Sequence, residues 1–209
     1  MITVIDYGMG NLRSVSKALE SLGAEVRVSG DAAHVAKADK LILPGVGAFP
    51  AAMQELSARG LIEPIKAAIA SGKPYLGICL GLQLLFERSE EGEGAVGFGV
   101  LPGTVRRFSV DASLKVPHMG WNQVSRGQGS EVGGQKGCPL LKGIPERAFV
   151  YFVHSYYADP MDRSVVALES DYGGRFAAMV WREHLYATQF HPEKSQAVGL
   201  QLLKNFISL

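Results

Sequence analysis

Three features are scarce in this sequence, and each scarcity argues against a class of protein. Two cysteines among 209 residues are too few for a disulfide framework. The formal net charge is +1 and Lys and Arg form no run, which argues against a binding surface for nucleic acid or anionic membranes. No apolar segment approaches the roughly 18 residues of a membrane span, and the first residues lack the basic region of a signal peptide. We therefore expect a protein of a reducing, cytoplasmic compartment.

Sequence patterns of metal and cofactor sites are also missing. None of the five histidines has the spacing of a metal ligand relative to another histidine or a cysteine, so no metal is predicted. Residues 6–11 lack the third glycine of a dinucleotide-binding loop, and no Gly-Lys-Ser or Gly-Lys-Thr phosphate loop occurs. We therefore predict no cofactor.

The order of apolar segments predicts an α/β fold with a mainly parallel central sheet flanked by helices. Short apolar runs alternate with helical spacing in the first half: strands are expected at 3–6, 25–29, 40–43 and 74–78, and helices at 11–22, 51–59, 61–70 and 80–88. Shorter runs between 97 and 188 predict added antiparallel β elements. Residues 125–137 predict a mobile loop, and 196–209 a closing amphipathic helix. The whole chain, 1–209, is interpreted as a single domain.

A cysteine stands where an apolar strand runs directly into a predicted helix. Cys79 lies between Gly77 and Gly81, and Gly-x-Cys-x-Gly is the cysteine counterpart of the nucleophile elbow. Glycines are needed there because the backbone of an elbow is strained and neighbouring chain segments pack closely against it. The start of the following helix favours the reactive thiolate. Gln83, one turn later on the same face, is placed to contact a substrate. The motif alone leaves open a buried structural cysteine; Cys138, in a loop, is interpreted as incidental.

A base for this nucleophile is predicted at the end of a later strand. His191 follows an apolar run and is held in extended geometry by Pro192, so Glu193, two residues on, can reach the imidazole. A carboxylate there orients the base of a catalytic triad. In isolation the tripeptide fits a simple turn equally well. His118 and His154 have no carboxylate placed to orient them.

Donors for an oxyanion are expected from two places. The backbone N–H of Leu80 directly follows the nucleophile, and the glycine-rich segment 44–49 leaves a predicted strand at its carboxyl end. A plain strand-to-helix turn remains the alternative for that segment.

Three motifs together resemble the class I (triad) glutamine amidotransferases. They are Pro-Gly-Val-Gly-Ala-Phe at 44–49, Gly-Ile-Cys-Leu-Gly-Leu-Gln at 77–83 and Gln-Phe-His-Pro-Glu-Lys-Ser at 189–195. Within that class, the segments 6–12, 115–122 and 151–157 are most similar to the glutaminase subunits of imidazole glycerol phosphate synthase, an enzyme of histidine biosynthesis. The resemblance implies a flavodoxin-like glutaminase fold and a heterodimer with a (β/α)8-barrel cyclase.

The resemblance also implies roles for individual residues. Cys79, His191 and Glu193 match the triad, and Gly47 matches the oxyanion-loop glycine. Positions that hold glutamine match Gln83, Ser155 and Tyr156. The surface that faces the cyclase matches Asn11, Pro117, His118, Met119, Gly120, Trp121, Asn122 and Lys194.

The implied reaction is glutamine hydrolysis through a γ-glutamyl thioester, with the ammonia passed to the cyclase by a closed path. Because the glycines of residues 45–47 permit two backbone states, a further hypothesis is that docking completes the oxyanion hole. Three alternatives stay open: another amidotransferase of the same class, a partner-independent cysteine hydrolase of peptides or γ-glutamyl conjugates, and a non-catalytic scaffold.

Overall fold

The computed structural model describes residues 1–111, 114–130 and 137–209. The helices in these ranges are α1 (Leu12–Ser21), α2 (Ala32–Lys37), α3 (Phe49–Ala58), α4 (Ile62–Ala70), α5 (Leu80–Gln83) and α6 (Gln196–Ile207). The strands are β1 (Ile2–Ile5), β2 (Val26–Ser29), β3 (Lys40–Gly45), β4 (Tyr75–Cys79), β5 (Phe86–Ser89), β6 (Ala95–Val96), β7 (Leu101–Arg107), β8 (His118–Gln123), β9 (Ser125–Arg126), β10 (Phe149–His154), β11 (Tyr156–Pro160), β12 (Val166–Asp171), β13 (Arg175–Arg182) and β14 (Leu185–Thr188). Across the described ranges, no helix combines the length and the apolar character that crossing a membrane requires.

The largest sheet has the strand order β2-β1-β3-β4-β14-β13-β12-β9. Neighbours from β2 to β14 run parallel, whereas β13, β12 and β9 are added antiparallel. The predicted fold class is therefore confirmed. Because β3, β4 and β14 are adjacent and parallel, their carboxyl ends lie side by side, and the segments that follow them meet at one edge of the sheet.

Alternate residues of the central strands point into two apolar clusters. On β3, Leu41 and Leu43 belong to one cluster and Ile42 to the other, as the two-residue period of a strand requires. The first cluster includes the buried faces of α3 and α4, and the second those of α1 and α6. Both faces of the sheet are thus covered by helices, which explains why the central strands β3 and β4 are mainly apolar, whereas the edge strand β2 is not.

Two smaller sheets lie beside the main one. β8 pairs with β10, and β11, β7, β5 and β6 form a four-stranded sheet in that order. The β8–β10 register places Trp121 opposite Tyr151 and Met119 opposite Val153. The strand β11 was not predicted, because the segment ends in Asp and Pro, residues that are depleted in strands.

The predicted helix 80–88 is wrong, since α5 ends at Gln83 and the chain enters β5 at Phe86. The carbonyls of Leu84 and Leu85 accept hydrogen bonds from the N–H groups of Phe98 and Leu101 instead of extending a helical ladder. Leu84, Leu85 and Phe86 are all buried. Three consecutive buried residues do not fit the single apolar face of an exposed helix.

The expected loop 125–137 is only partly a loop. Its first two residues form β9, which pairs with β12, and a 3-10 turn follows at Gln128–Ser130. The guanidinium of Arg126 donates to the carbonyl of Ile144, 2.9 Å away, and holds this segment against the chain that follows it. Residues 131–136 lie outside the described ranges.

Candidate active site

The predicted nucleophile occupies a strained turn. Cys79 is the last residue of β4, and its φ of 55° and ψ of −106° lie outside the regions that residues with a side chain normally adopt. Such backbone strain is found at functional sites, where the surrounding structure maintains it. The side chain of Cys79 lines a cavity of about 320 Å³.

The two glycines around Cys79 are required by close packing. A Cβ atom on Gly77 would lie 2.5 Å from the carbonyl oxygen of Gly81, and one on Gly81 would lie 1.9 Å from that of Leu43. Any other residue at either position would displace the backbone of β3 or of the turn itself. The pattern seen in the sequence therefore reflects the shape of the elbow. With only four residues, however, α5 has too short a macrodipole to account for an activated thiol.

His191 and Glu193 form a buried pair. The distance from His191 Nδ1 to Glu193 Oε1 is 2.8 Å, and the side chains are 2% and 1% exposed. The extended geometry predicted for this segment is found only at His191, because a 3-10 turn begins at the next residue, Pro192–Lys194. The turn rather than an extended chain brings the carboxylate to the imidazole.

Ser195 fixes this turn against β10. Its hydroxyl donates to the carbonyl of His191 at 2.7 Å and accepts from the N–H of Tyr151 at 3.0 Å. The N–H of His191 donates to the carbonyl of Tyr151, also at 3.0 Å. The sequence predicts no role for Ser195 beyond its place in the motif at 189–195.

The electrostatics of His191 favour an imidazolium. Burial lowers the pKa of His191, but the electrostatic interactions of its ring with Cys79 and Glu193 raise the pKa by more, to about 10. Nε2 of His191, the ring nitrogen that does not face Glu193, has no hydrogen-bond partner among the residues that the structure describes. The raised pKa favours the protonated ring, which can donate the proton on Nε2 into the cavity.

The other two buried histidines are neutral. Burial lowers the pKa of His118 to about 4 and that of His154 to about 3. Nδ1 of His154 donates to the carbonyl of Tyr156 at 2.8 Å, so its Nε2 accepts from Nδ1 of His118 at 3.0 Å. Since each ring is held as one tautomer by its partners, neither is placed to act as the base.

The cavity brings together the residues predicted to contact substrate. Besides Cys79 and His191, its lining includes the predicted Gly47, Leu80, Gln83, Ser155 and Tyr156. Four lining residues were not predicted: Val46, Glu91, Val153 and His154. Pro117, expected at a partner surface, also lines it. Residues from distant parts of the chain thus meet where β3, β4 and β14 end.

The amide expected to lie over the thiol belongs to a different glutamine. Nε2 of Gln83 donates to the carbonyl of Tyr156 at 2.9 Å and to Oε1 of Gln189 at 3.1 Å. Both of its N–H groups are used, which leaves Oε1 as the atom that Gln83 offers to a ligand. Gln189, which the sequence analysis missed, reaches the sulfur of Cys79 at 3.7 Å.

The loop expected to supply oxyanion donors lies beside the nucleophile. Gly45 pairs with Cys79 in the β3–β4 register, and Gly47 has a φ of 96°. A Cβ atom on Gly45 would lie 2.5 Å from the hydroxyl of Tyr7. Gly47 and the first residue of α5, Leu80, both line the cavity. Their backbone N–H groups are the candidate donors.

Most residues expected to face a partner lie near the β8–β10 pair. Met119 is 63% exposed and Trp121 is 46% exposed. The ring of Trp121 packs edge-on against that of Tyr151, with 6.0 Å between the ring centres. The ammonium of Lys194 lies 5.7 Å from the centre of the Tyr151 ring. His118 is an exception: at 3% exposed it lies beneath this surface, because its ring stacks between Phe152 and Tyr172.

Comparison with known proteins gives the family. The model of the glutamine amidotransferase class-I family matches residues 3–209. The chain belongs to the class I glutamine amidotransferase family. Its relatives include proteins named imidazole glycerol phosphate synthase subunit HisH. That of Syntrophotalea carbinolica is 55% identical over 99% of this chain and 98% of its own. The relative from Rhodopirellula baltica is 55% identical over 99% of this chain and 96% of its own length.

Solved structures of other proteins share the fold. The crystal structure of a glutamine amidotransferase has a TM-score of 0.74 at 18% identity, covering 100% of this chain and 99% of that one. PurLQS from Thermotoga maritima has a TM-score of 0.71 at 21% identity, covering 99% and 96%. At these identities the likeness concerns the fold alone.

The raised pKa of His191 depends on Glu193, and this dependence can be tested. Glu193→Gln keeps an acceptor for Nδ1 but removes the negative charge, so the pKa of His191 is expected to fall from about 10 by roughly 1 to 3 units. Nitrogen-detected NMR of the histidine rings as a function of pH measures it. Glu20→Gln, on the exposed side of α1, is the control that leaves this pKa unchanged. An unaltered His191 pKa in Glu193→Gln would show that the pair does not act electrostatically.

Proposed function

We propose that this chain is the glutaminase subunit of an imidazole glycerol phosphate synthase. It hydrolyses glutamine to glutamate and ammonia and supplies the ammonia to a cyclase partner in histidine biosynthesis. The observation that carries the proposal is the meeting of a strained cysteine with the buried His191–Glu193 pair in one cavity, in a chain whose full-length relatives bear that name. No cofactor is required by this chemistry.

The proposed chemistry uses a Cys79 thiolate as the nucleophile and a His191 imidazolium as the acid. The Cys79 thiolate adds to the side-chain carbonyl carbon of glutamine, and the N–H groups of Leu80 and Gly47 stabilise the oxyanion. The imidazolium of His191 then protonates the departing nitrogen, and ammonia leaves a γ-glutamyl thioester on Cys79. Neutral His191 next takes a proton from water, which attacks the thioester and releases glutamate. Glu193 holds the imidazole in position through both steps.

The cavity walls fit the remaining groups of glutamine. Glu91 is the only carboxylate among the described residues that line the cavity, and its Oε2 is occupied by the N–H of Phe49 at 2.8 Å. Its other oxygen can pair with the α-ammonium group of the substrate. Oε1 of Gln83 can accept from an N–H of the same substrate, since its own amide hydrogens are used. Ser155 and Tyr156 complete the wall.

A partner is required because ammonia released into water becomes protonated and loses its nucleophilicity. The exposed Met119 and Trp121 lie on β8, whose continuation Pro117 lines the glutamine cavity. Exposed aromatic and methionine side chains are enriched at interfaces. We therefore assign to this face the docking of a (β/α)8-barrel cyclase in a heterodimer, with Asn11, Gly120, Asn122 and Lys194 at the same interface.

Other amidotransferases of the class would share the triad, and the fold does not distinguish them. The identity of 55% to the relatives named HisH, over nearly the whole chain, favours the histidine-pathway enzyme. Co-purification with the matching synthase separates these functions.

The role of Cys79 is tested with the assembled complex. Cys79→Ala is expected to reduce glutamine-dependent product formation by at least about 10³-fold, because no thioester can form. Ammonium salts added in place of glutamine should still support synthesis at the unmodified rate. Product formation is followed spectrophotometrically. Loss of both activities would mean that the substitution damages the complex, and retention of glutamine turnover would contradict the proposed nucleophile.

The proposed docking face is tested by titration with the cyclase. Trp121→Ala removes an exposed aromatic ring from the centre of the face, and the dissociation constant is expected to rise about 10- to 100-fold. Calorimetry measures it. Met161→Ala, which removes a side chain 79% exposed after β11, is the matched control and should leave affinity unchanged. Equal affinity of both variants would place the interface elsewhere.

A further inference from the structure

One buried polar side chain contacts the nucleophile and has no part in the mechanism described above. Gln189 follows β14 directly, and its N–H donates to the carbonyl of Ala178 at 2.8 Å, which continues the pairing of β14 with β13. Its side chain is completely buried. A buried amide needs partners for both its oxygen and its nitrogen, and the partners of Gln189 are Gln83 and the sulfur of Cys79.

The orientation of the Gln189 amide is fixed by its neighbours. The carbonyl of Tyr156 can only accept a hydrogen bond, so the group that Gln83 turns toward it is the amide nitrogen. The same nitrogen of Gln83 lies 3.1 Å from Gln189, which must therefore present its oxygen. The nitrogen of Gln189 is left facing Cys79, with 3.7 Å between Nε2 and Sγ. A flipped amide would set two N–H groups against each other.

We propose that Gln189 is a further catalytic residue, whose side-chain N–H donates a hydrogen bond to the Cys79 sulfur and stabilises it as the thiolate. This inference rests on the proposed function and adds a donor that the Cys-His-Glu triad does not include. An amide N–H suits this role because it cannot take the proton from the sulfur and cannot become charged itself.

A hydrogen-bond donor to the sulfur is needed because another contact of Cys79, with the carbonyl of Val153, favours the neutral thiol. The sulfur lies 3.9 Å from the carbonyl oxygen of Val153, which accepts from S–H but repels a thiolate. The titratable groups that interact with the sulfur are His191 and the buried Tyr7, a phenol whose pKa is raised by burial and then by the charge of Cys79. In the proposed reaction His191 gives up its proton, whereas the amide of Gln189 keeps its hydrogen atoms and remains a donor to the sulfur throughout.

The hydrogen bond also joins the nucleophile to the substrate wall. Gln83 holds the oxygen of Gln189 and the carbonyl of Tyr156 with one nitrogen, so the sulfur, Gln189 and Gln83 form a continuous chain. This chain connects Cys79 to Gln83, the residue proposed to contact the substrate glutamine. Substitution of Gln189 should therefore change the reactivity of the thiol more than the binding of glutamine.

Two substitutions separate the two bonds of Gln189. Gln189→Glu keeps an oxygen that accepts from Gln83 but loses the N–H that donates to the sulfur. Gln189→Met has a side chain of similar length and loses both hydrogen bonds. The full-length chain carries Cys138→Ala in every sample, so that iodoacetamide reports Cys79 alone, and Cys79→Ala gives the blank. The rate of alkylation by iodoacetamide is measured as a function of pH. Gln201→Met on α6, an amide outside the cavity, is the control.

Both Gln189 variants should shift the midpoint of the alkylation profile upward by about one unit or more, and slow alkylation at neutral pH about tenfold. The carboxylate of Gln189→Glu raises the midpoint by its charge as well, so an unshifted profile in the neutral Gln189→Met also overturns the inference. Gln201→Met should not shift it. An unshifted profile in Gln189→Glu overturns the inference, even if Gln189→Met shifts, because the bond to Gln83 would then account for the effect. Thermal unfolding of each variant confirms that it is folded. If Gln189→Met does not fold, Gln189→Asn replaces it as the neutral variant, because its shorter side chain withdraws the N–H from the sulfur.

Failure of this inference and failure of the proposed function give different results. If Gln189→Glu alkylates like the unmodified chain while Cys79→Ala abolishes glutamine turnover in the complex, the role of Gln189 fails and the function stands. If the profile shifts but Cys79→Ala still turns over glutamine, the thiol is activated for a different reaction.

Discussion

The proposed chemistry depends above all on the electrostatic interaction between Cys79 and His191, whose side chains line one cavity. A thiolate stabilises a nearby imidazolium, and an imidazolium stabilises a nearby thiolate. The strained elbow presents the sulfur, and the buried carboxylate of Glu193 keeps the imidazole protonated and oriented. Because the helix after Cys79 has only four residues, the proposed chemistry relies on neighbouring side chains rather than on a helix macrodipole.

The fold delivers these groups to one place through strand order. Cys79 ends β4, His191 lies three residues beyond β14, and the glycine loop follows β3, and these three strands are neighbours in the sheet. Parallel strands present their carboxyl ends at the same edge, so residues more than a hundred positions apart become adjacent. The glycines are the cost of this arrangement, since Gly77 and Gly81 have no space for a Cβ atom.

Sequence patterns predicted the parts of this arrangement that have local causes. The alternation of strands and helices and the elbow glycines are visible in the chain because period and turn chemistry act over a few residues. The end of α5 was mispredicted because long-range hydrogen bonds from Phe98 and Leu101 replace its helical ladder. The contact of Gln189 with the sulfur and the burial of His118 also depend on distant partners that no local pattern encodes. The residue roles implied by family resemblance remain predictions.

The central claim is that Cys79 carries a γ-glutamyl group during turnover, and trapping that group tests it most directly. The complex with the cyclase is mixed with glutamine, quenched in acid during steady state, and analysed by mass spectrometry after digestion. The account predicts a glutamyl adduct on the peptide that contains Cys79, and none on the peptide that contains Cys138. Continued glutamate release with no adduct on Cys79, or an adduct on another residue, would contradict it.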